Sequence, residues 1–582
     1  MIKRDGFIKL GLVALFAIAC IVFFLFYYPY HLFFKEQMQL FLFTSDYSLS
    51  YLYKPAALSC YLGDFFTQFF YIRGGGPVVI SFTLCLEWLL ISYVLKKTGT
   101  EKNALLYAFF PIVAEWILHC GLSYSLSSTV SLLLSLVFFV GYTWINKRWL
   151  AIFLAILLQP LLYMLTGSGL FVFNLLLLFY EYGHKGKFKE VGYLFLLVGF
   201  ILPLLFRSTY LLTFEQAYFY PHKGIMAFSP SFLLMLTVWG MSFYKIRNFT
   251  SDIRYVPFVI VFQLILLGGG IYWGANFSRE KILSLDSEAY FGNWGRVLHL
   301  ANTYKINNTT ASYYTNLALA RHGALPDHLL EYYQPASEGL FLPVNPAASP
   351  LTILFSNEVF FYLGDMNMSQ HSAMLGMIFS PNNRSSRLIK RLAEINLING
   401  EKEAARKYLR MLEPTLFHRS WALKRIALLE ADTLQTASNK WLSERRGLLV
   451  NRDILRKGDN YPVSLELLVE SNPGNKMALD YLLCYHLLNK NMAEFVQLFD
   501  RYAKGRMSIM PRIYSEALLI WLFNAKASEK EVQQYGISPD VIRDFANYTR
   551  IYEKDKGEMK LLQESYGKSY WFYFHFANME TK

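Results

Sequence analysis

The chain has 582 residues, of which 54% are hydrophobic, 17% aromatic and 17% charged, and its formal net charge is +13. A basic balance is compatible with nucleic-acid binding, but the cations lie in short segments between apolar runs or alternate with acidic residues, so we expect no nucleic-acid partner. The five cysteines form no CxxC pair, so neither disulfides nor a zinc site is expected.

Charged residues are sparse as far as residue 273 and become frequent after it. Because a bilayer excludes charge and a soluble surface needs it, this change predicts an all-α protein with a transmembrane domain at 1–275. Residues 276–350 are predicted to connect the domains, ending in the proline-rich linker 341–350. Residues 351–582 are predicted to form a soluble α-helical domain.

The N-terminus has basic residues followed by an apolar stretch that reaches Tyr28. A cleaved signal peptide would have a shorter apolar region that ends in small residues, whereas this one ends in the aromatic run 26–30. We therefore expect a retained membrane helix whose N-terminus is cytoplasmic.

Nine apolar segments predict membrane helices. They cover residues 8–29, 77–95, 103–119, 122–145, 149–165, 168–182, 191–206, 229–243 and 255–273. Several are short for a perpendicular crossing, so re-entrant hairpins or local thinning of the bilayer are alternatives for 149–182 and 191–206.

Lysine and arginine are concentrated in the alternate loops that a cytoplasmic N-terminus places inside. Those loops contain Lys3, Arg4, Lys9, Lys96, Lys97, Lys102, Lys147, Arg148, Lys185, Lys187, Lys189, Lys245, Arg247 and Arg254. The opposite loops contain Lys35, Lys54, Arg73, Arg207 and Lys223. By the positive-inside rule, nine crossings then predict a multi-pass inner (plasma) membrane protein whose C-terminal domain is extracytoplasmic.

The first predicted outside loop, residues 30–76, is too long for a simple turn. Apolar positions within 57–71 recur at three and four residues, which predicts an amphipathic helix along the membrane interface. Charged residues beside this aromatic segment suit a site for a lipid-linked anionic substrate, where a carboxylate binds a divalent metal or accepts a proton from a hydroxyl. The alternative is a solvated loop whose charges face the lipid headgroups.

The second long outside loop, residues 207–228, adds cations that can face the carboxylates of the first loop. There they can hold a phosphate leaving group or pair structurally with the carboxylates. The candidate substrate-binding residues of the two loops are Asp64, Arg73, Arg207, His222 and Lys223.

Three polar residues lie within predicted spans: Glu87, Glu115 and His119. The i, i+4 spacing of Glu115 and His119 places them on one helical face. Because a charge inside a membrane is costly, a proton relay is one interpretation. A buried pair that locks two helices together is the other.

The soluble half contains two stretches, 385–412 and 472–495, that read as helix–turn–helix repeats similar to tetratricopeptide units. Their irregular period predicts a degenerate α-solenoid. The chain contains no P-loop, dinucleotide fingerprint, His-Glu-x-x-His or Gly-x-Ser-x-Gly motif, so no enzymatic chemistry is predicted in this half.

The predicted chain begins with one span and a long first outside loop, which contains Glu36-Gln37 and Ser45-Asp46-Tyr47. A loop helix at 54–70 and many further spans follow, and the outside domain comes last. This layout resembles the C-superfamily of integral membrane glycosyltransferases. The resemblance implies a polyprenyl-phosphate sugar donor in the membrane and a catalytic carboxylate in the first outside loop, for which Glu36 and Asp46 are the candidates. The adjacent acidic pair that is frequent in that family is not present here.

Three functions follow as hypotheses. The first is an extracytoplasmic, lipid-linked-sugar-dependent glycosyltransferase; a divalent metal is compatible with its carboxylates, but no particular cofactor is predicted. The second is a non-enzymatic membrane-anchored scaffold whose repeat domain binds an envelope protein. The third is a transporter that uses the intramembrane polar residues.

Overall fold

The computed structural model describes residues 2–99, 103–183, 190–242, 253–430, 439–450, 460–507, 509–554 and 559–577. Within these ranges the protein is helical and has no β-strand. Several of the basic loop residues lie outside the described ranges: Lys102, Lys185, Lys187, Lys189, Lys245 and Arg247.

The chain forms two compact units. The first comprises Met1–Glu280 with Pro414–Phe417, and the second comprises Lys281–Glu413 with His418–Lys582. Along the chain, the boundary falls within the helix Phe277–Tyr290.

The first unit is built from helices joined by short loops. Its described α-helices are Ile2–Val22, Tyr30–Gln37, Ser45–Ser50, Ala57–Thr67, Gly75–Thr98, Ala104–Tyr107, Phe109–His119, Leu126–Trp144, Arg148–Leu157, Gln159–Thr166, Gly169–Gly183, Val191–Tyr210, Phe214–Phe219, Ser229–Ser242 and Val256–Gly274.

Five of these stretches are long and apolar enough to cross a membrane: Phe7–Tyr27, Gly75–Thr98, Leu126–Trp144, Val191–Tyr210 and Val256–Gly274. The pair Arg148–Leu157 and Gln159–Thr166, bent by 57°, adds a sixth if it forms one span. The other predicted segments correspond to shorter apolar helices, Ala104–His119, Gly169–Tyr182 and Ile225–Met241. Helices therefore occupy all nine predicted segments, while the count of nine crossings stays a prediction.

The first unit has a packed interior and apolar outer faces. Phe16 packs edge-on against Trp88 and Trp116, with ring centroids 5.3 Å apart in both pairs. On the helix Val256–Gly274, large apolar side chains such as Phe258 and Ile265 are exposed instead. Apolar surface on both sides of a helix is the pattern expected where lipid replaces water.

The helix predicted in the first loop extends over Ala57–Thr67, and a 3₁₀ turn continues it over Gln68–Tyr71. Its buried face consists of small residues, Ala57, Ser59, Cys60, Gly63 and Thr67. This face packs on the helix Leu126–Trp144. The larger apolar residues between these positions, including Phe65, are half-buried.

The second unit is also a set of consecutive helices. Its described α-helices are Trp294–Tyr304, Thr309–Arg321, Leu325–His328, Pro350–Leu363, Met366–Ile378, Ser386–Asn399, Lys402–Leu412, Arg419–Glu430, Lys440–Arg446, Tyr461–Ser471, Lys476–Leu488, Met492–Tyr502, Arg512–Asn524, Glu529–Gln533, Pro539–Lys554, Met559–Tyr566 and Tyr570–Phe576. The two predicted repeats fall on helical pairs, and Gly400 turns the chain between Ser386–Asn399 and Lys402–Leu412 with a φ of +82°. A tetratricopeptide-like solenoid stays a prediction.

The proline-rich segment predicted as a linker begins inside the core of the second unit. Phe341 is 4% exposed, and its ring stacks on Tyr461 with centroids 4.3 Å apart. The side chain of Ser349 then caps the helix Pro350–Leu363 by accepting a hydrogen bond from the backbone N–H of Thr352.

The second unit also buries an ionic network. The Arg387 guanidinium donates hydrogen bonds to Asp286 and Glu358 at 2.8 and 2.9 Å. Arg391 donates to the second oxygen of Glu358 at 2.7 Å. All four side chains are less than one tenth exposed.

Candidate functional site

The loop helix Ala57–Thr67 is anchored at its start. Ala56 has a left-handed conformation with a φ of +60°, and its N–H donates to the Tyr163 carbonyl at 3.4 Å. The Ser59 hydroxyl donates to the Leu165 carbonyl at 3.1 Å. These bonds hold the helix against Gln159–Thr166, and Asp64 follows on its third turn.

Asp64 lies in a cluster of tyrosines from the same loop. The Tyr51 hydroxyl donates to Asp64 Oδ2 at 2.6 Å, and the Tyr47 and Tyr51 hydroxyls are themselves 2.6 Å apart. Gln39 Nε2 donates to the backbone carbonyl of Asp64 at 3.1 Å. The Asp64 carboxyl group is therefore oriented by the Tyr51 hydroxyl, which Tyr47 contacts in turn, and the Asp64 backbone is held by Gln39.

The surroundings of Asp64 bring the pKa of its carboxyl group closer to neutral pH. Burial raises the pKa of Asp64 to about 6, against the lowering effects of the Tyr51 hydrogen bond and of Lys223. A carboxyl with such a pKa is largely ionised at pH 7 and still basic enough to accept a proton from a hydroxyl. Asp64 is thus the carboxyl best suited to acid–base chemistry in the predicted outside loops.

Lys223 comes from the second predicted outside loop and is exposed. The residues before it hold this loop against the first one: Ser168 N–H donates to the Tyr220 carbonyl at 2.8 Å, and the Cys60 thiol lies 3.7 Å from the Tyr220 hydroxyl. The Lys223 cation thereby comes within electrostatic range of the Asp64 carboxylate, without a direct ion pair between them.

His222, next to Lys223, is buried and hydrogen-bonded, and its assignment to substrate binding stays a prediction. Its Nδ1 is 2.8 Å from the Ser168 hydroxyl, and the side chain is buried. Burial lowers the pKa of His222 to about 4, so the ring is neutral at pH 7 and supplies hydrogen bonds instead of charge.

The other two predicted cations are not among the contacts of this cluster: Arg207 interacts with residues close to it in the chain, and Arg73 is exposed. The Arg207 guanidinium stacks over the Phe214 ring at 3.8 Å and donates to the Leu212 carbonyl at 3.1 Å. Arg73 is exposed in the turn before the helix Gly75–Thr98.

The two predicted catalytic carboxylates also differ in setting from Asp64. Glu36 is 5% exposed near the end of the helix Tyr30–Gln37. Asp46 is exposed on the first turn of the helix Ser45–Ser50, where a negative charge stabilises the helix terminus. Their catalytic assignment stays a prediction.

The intramembrane polar residues form a second, buried cluster. Glu115 Oε2 accepts hydrogen bonds from the Tyr124 and Thr129 hydroxyls at 2.8 and 3.0 Å. His119 Nε2 lies 3.7 Å from the same oxygen and 3.0 Å from the Thr129 hydroxyl. Glu87 is completely buried and close enough to Glu115 for their charges to interact.

Sequence reasoning missed the partners that complete both clusters: Tyr47, Tyr51, Tyr124 and Thr129. Tyrosine is common at membrane interfaces, so its presence carries no local signal. Tyr51 lies 13 residues from Asp64, and Tyr124 and Thr129 lie 9 and 14 residues from Glu115, so each hydrogen bond joins residues of different elements and depends on how those elements pack.

Metal binding has no ready-made site in the part of the chain that the structure describes. Within those ranges, no group of three or more His, Cys, Asp or Glu side chains is arranged to hold a metal ion.

Comparison with curated proteins and with solved structures found no significant match. A match to a protein family extends over residues 6–577 and so includes both units. The chain therefore belongs to the family described as a family of unknown function, DUF6057.

Proposed function

We propose that this protein is an integral membrane glycosyltransferase that uses a polyprenyl-phosphate-linked sugar on the extracytoplasmic side. The proposal includes nine crossings, outside placement of the loops that carry Asp64 and Lys223, and display of the second unit as a helical-repeat domain. The observation that carries it is the Asp64 carboxyl group, which is oriented by the Tyr51 hydroxyl and lies within electrostatic range of the Lys223 cation.

In this reaction Asp64 is the general base. An acceptor hydroxyl gives its proton to the Asp64 carboxylate as its oxygen attacks the anomeric carbon of the donor sugar. The bond between that carbon and the phosphate oxygen breaks, and the lipid phosphate leaves with the electron pair. Lys223 stabilises the charge that develops on the departing phosphate.

The general base proposed here is Asp64, whereas the sequence predicted Glu36 or Asp46. Asp64 has the oriented carboxyl and the nearby cation that phosphate departure requires. Exposed aromatic residues of the same loop, such as Phe43 and Tyr53, offer apolar surface to a lipid chain.

The test measures transfer from a radiolabelled polyprenyl-phosphate sugar by the full chain in lipid nanodiscs. We expect Asp64→Asn to lower kcat by about 100-fold or more, the usual contribution of a positioned base. Lys223→Gln should lower kcat/KM, and the exposed Glu215→Gln should leave activity unchanged. Normal activity of Asp64→Asn, with loss in Glu36→Gln or Asp46→Asn, would contradict the assignment.

A scaffold is the second candidate, favoured by a pocket in the second unit. The pocket has a volume of about 420 Å³ and is lined by polar and aromatic residues that include Asn302, Lys305, Glu331, Tyr332 and Tyr333. Such a surface suits an extended segment of an envelope protein. If scaffolding is the function, Asp64→Asn protein should fully complement a deletion strain, whereas the enzyme hypothesis expects no complementation.

A further inference from the structure

Glu87 is an unusual residue in the interior of the first unit. It lies midway along the helix Gly75–Thr98 and has no exposed surface. Neither of its carboxyl oxygens has a hydrogen-bond partner among the described residues. Burial of an ionised carboxylate that receives no hydrogen bond is strongly unfavourable, so Glu87 is expected to be neutral.

The hydrogen bonds around Glu115 indicate how the pair divides its charge. Glu115 Oε2 accepts from two hydroxyls, those of Tyr124 and Thr129. Donors aimed at one oxygen stabilise a carboxylate, and two carboxylates cannot both be ionised in one water-excluded site. Glu115 is thus the ionised member of the pair, and Glu87 holds the proton.

A line of polar groups connects this pair to the first loop. Because the Thr129 hydroxyl donates to Glu115, His119 Nε2 donates in turn to that hydroxyl at 3.0 Å. The His119 backbone carbonyl then accepts hydrogen bonds from His31 Nε2 at 3.0 Å and from Lys35 Nζ at 3.3 Å.

The line ends at Glu280. His31 Nε2 is committed to the His119 carbonyl, so its Nδ1 is free to accept a proton from Glu280 Oε2, which lies 3.6 Å away. The Glu280 carboxyl also accepts hydrogen bonds from the backbone N–H groups of Tyr30 and His31, the latter at 3.0 Å to Oε2. Burial outweighs these bonds and raises the pKa of Glu280 to about 8, so this carboxyl is mostly protonated at neutral pH. A protonated Glu280 can therefore act as the donor at the outer end of the line.

We propose that Glu87 and Glu115 form a proton-binding site inside the membrane domain, which exchanges protons with the first-loop end through Thr129, His119, His31 and Glu280. A proton taken up at Glu280 passes to His31, then to His119 and the Thr129 hydroxyl, and is bound by the carboxyl pair. Release follows the same groups in reverse.

The slow step of this exchange lies between the two histidines. Their side chains are joined through the His119 backbone carbonyl, which accepts hydrogen bonds but carries no proton. Transfer between the imidazoles needs a bridging water or rotation of the His119 ring. Replacement of His31 should therefore slow exchange without removing the site.

Other titratable and charged groups face this line and set its charge balance. They are Tyr28, Lys35, Cys120 and Tyr124. Burial lowers the pKa of Lys35 to about 7, so near neutral pH its charge opposes a second positive charge on either histidine. The line therefore favours the transit of one proton at a time.

The experiment uses the full chain in lipid nanodiscs and infrared difference spectroscopy at pH 7. The difference between wild type and Glu87→Gln should contain the C=O band of a protonated carboxyl. This band should shift when the buffer is exchanged for D₂O, and His31→Gln should slow that shift at least tenfold. Glu181→Gln removes a buried carboxylate that is paired with Arg148, and it should leave the band intact.

A matched histidine control is His486→Gln, which replaces a buried histidine of the second unit and should keep the wild-type exchange rate. If Glu87→Gln does not fold, Glu87→Asp replaces it, and the band should move in frequency. A band unchanged by replacement of Glu87, or one that shifts equally fast in His31→Gln and wild type, would overturn the proposal. Neither result depends on glycosyl transfer.

Discussion

Burial has opposite consequences for two neighbouring polar residues of the predicted outside loops. It raises the pKa of Asp64 to about 6 and lowers that of His222 to about 4, because a low dielectric penalises the charged form of either group. The acid becomes a usable base near neutral pH, while the histidine loses its value as a cation. Lys223 is exposed and is the cation assigned to the phosphate in the proposed reaction.

The Tyr51 hydroxyl should set the pH dependence of the proposed reaction. Its hydrogen bond stabilises the ionised Asp64 and lowers the pKa of that carboxyl. Tyr51→Phe removes this bond, so the pKa should rise above about 6. The acid limb of a kcat/KM profile, where activity is lost as pH falls, should move to higher pH.

Tyr53→Phe is the matched control, since Tyr53 lies in the same turn but is 78% exposed. Its profile should overlay that of the wild type. An acid limb that stays in place in Tyr51→Phe would show that Asp64 does not govern it.

At the scale of elements, the loop helix packs closely against its neighbour because a glycine lies at the point of contact. Gly63 lies where Ala57–Thr67 approaches Leu126–Trp144, and a Cβ added there would come within 2.6 Å of the Ser127 backbone. Such close approach of two helices is typical of small residues in membrane proteins. Because Asp64 is the next residue, this contact also positions the candidate base.

Gly63→Ala should therefore destabilise the protein by about 1–3 kcal/mol, the usual cost of overpacking. It should also reduce glycosyl transfer by displacing Asp64. The measurement is thermal unfolding in detergent, together with transfer activity.

Gly141→Ala is the control, because Gly141 lies on the same partner helix and a Cβ there meets nothing within 4 Å. Replacing a helical glycine at an open position should be neutral or stabilising by up to about 1 kcal/mol. Equal behaviour of the two variants would mean that the close helix contact does not position Asp64.

At the scale of the whole molecule, the number of membrane crossings decides on which side of the membrane the second unit lies. Five long helices, or nine crossings as predicted, place the C-terminus opposite the N-terminus, whereas six crossings place both on one side. The three shorter apolar helices and the bent pair therefore determine the parity.

Reporter fusions can measure this parity directly. With nine crossings, alkaline phosphatase fused at the C-terminus should be active, and green fluorescent protein at the same place should be dark. Phosphatase fused after Gly99 should be inactive, because this loop is predicted to be cytoplasmic. A fluorescent C-terminal fusion would indicate an even number and would place the second unit in the cytoplasm. The loop that carries Asp64 would still lie outside, because it follows the first crossing.

The sequence by itself determined where the first unit has helices. The free energy of transferring an apolar side chain out of water depends on that side chain itself, so each apolar run predicts its own helix. The structure has helices in all nine segments. The four-residue spacing of Glu115 and His119 likewise predicts a shared face, and the two side chains are 3.7 Å apart. Both inferences concern residues close together in the chain.

Only the tertiary structure decided which distant residues meet. The proximity of Asp64 to Lys223, and of Glu87 to Glu115, depends on which face each helix turns towards its neighbours. The burial of Arg387 depends on Asp286 and Glu358, which reach it from other helices. An apolar pattern identifies a helix but not its partner, because many pairings of apolar faces bury similar area.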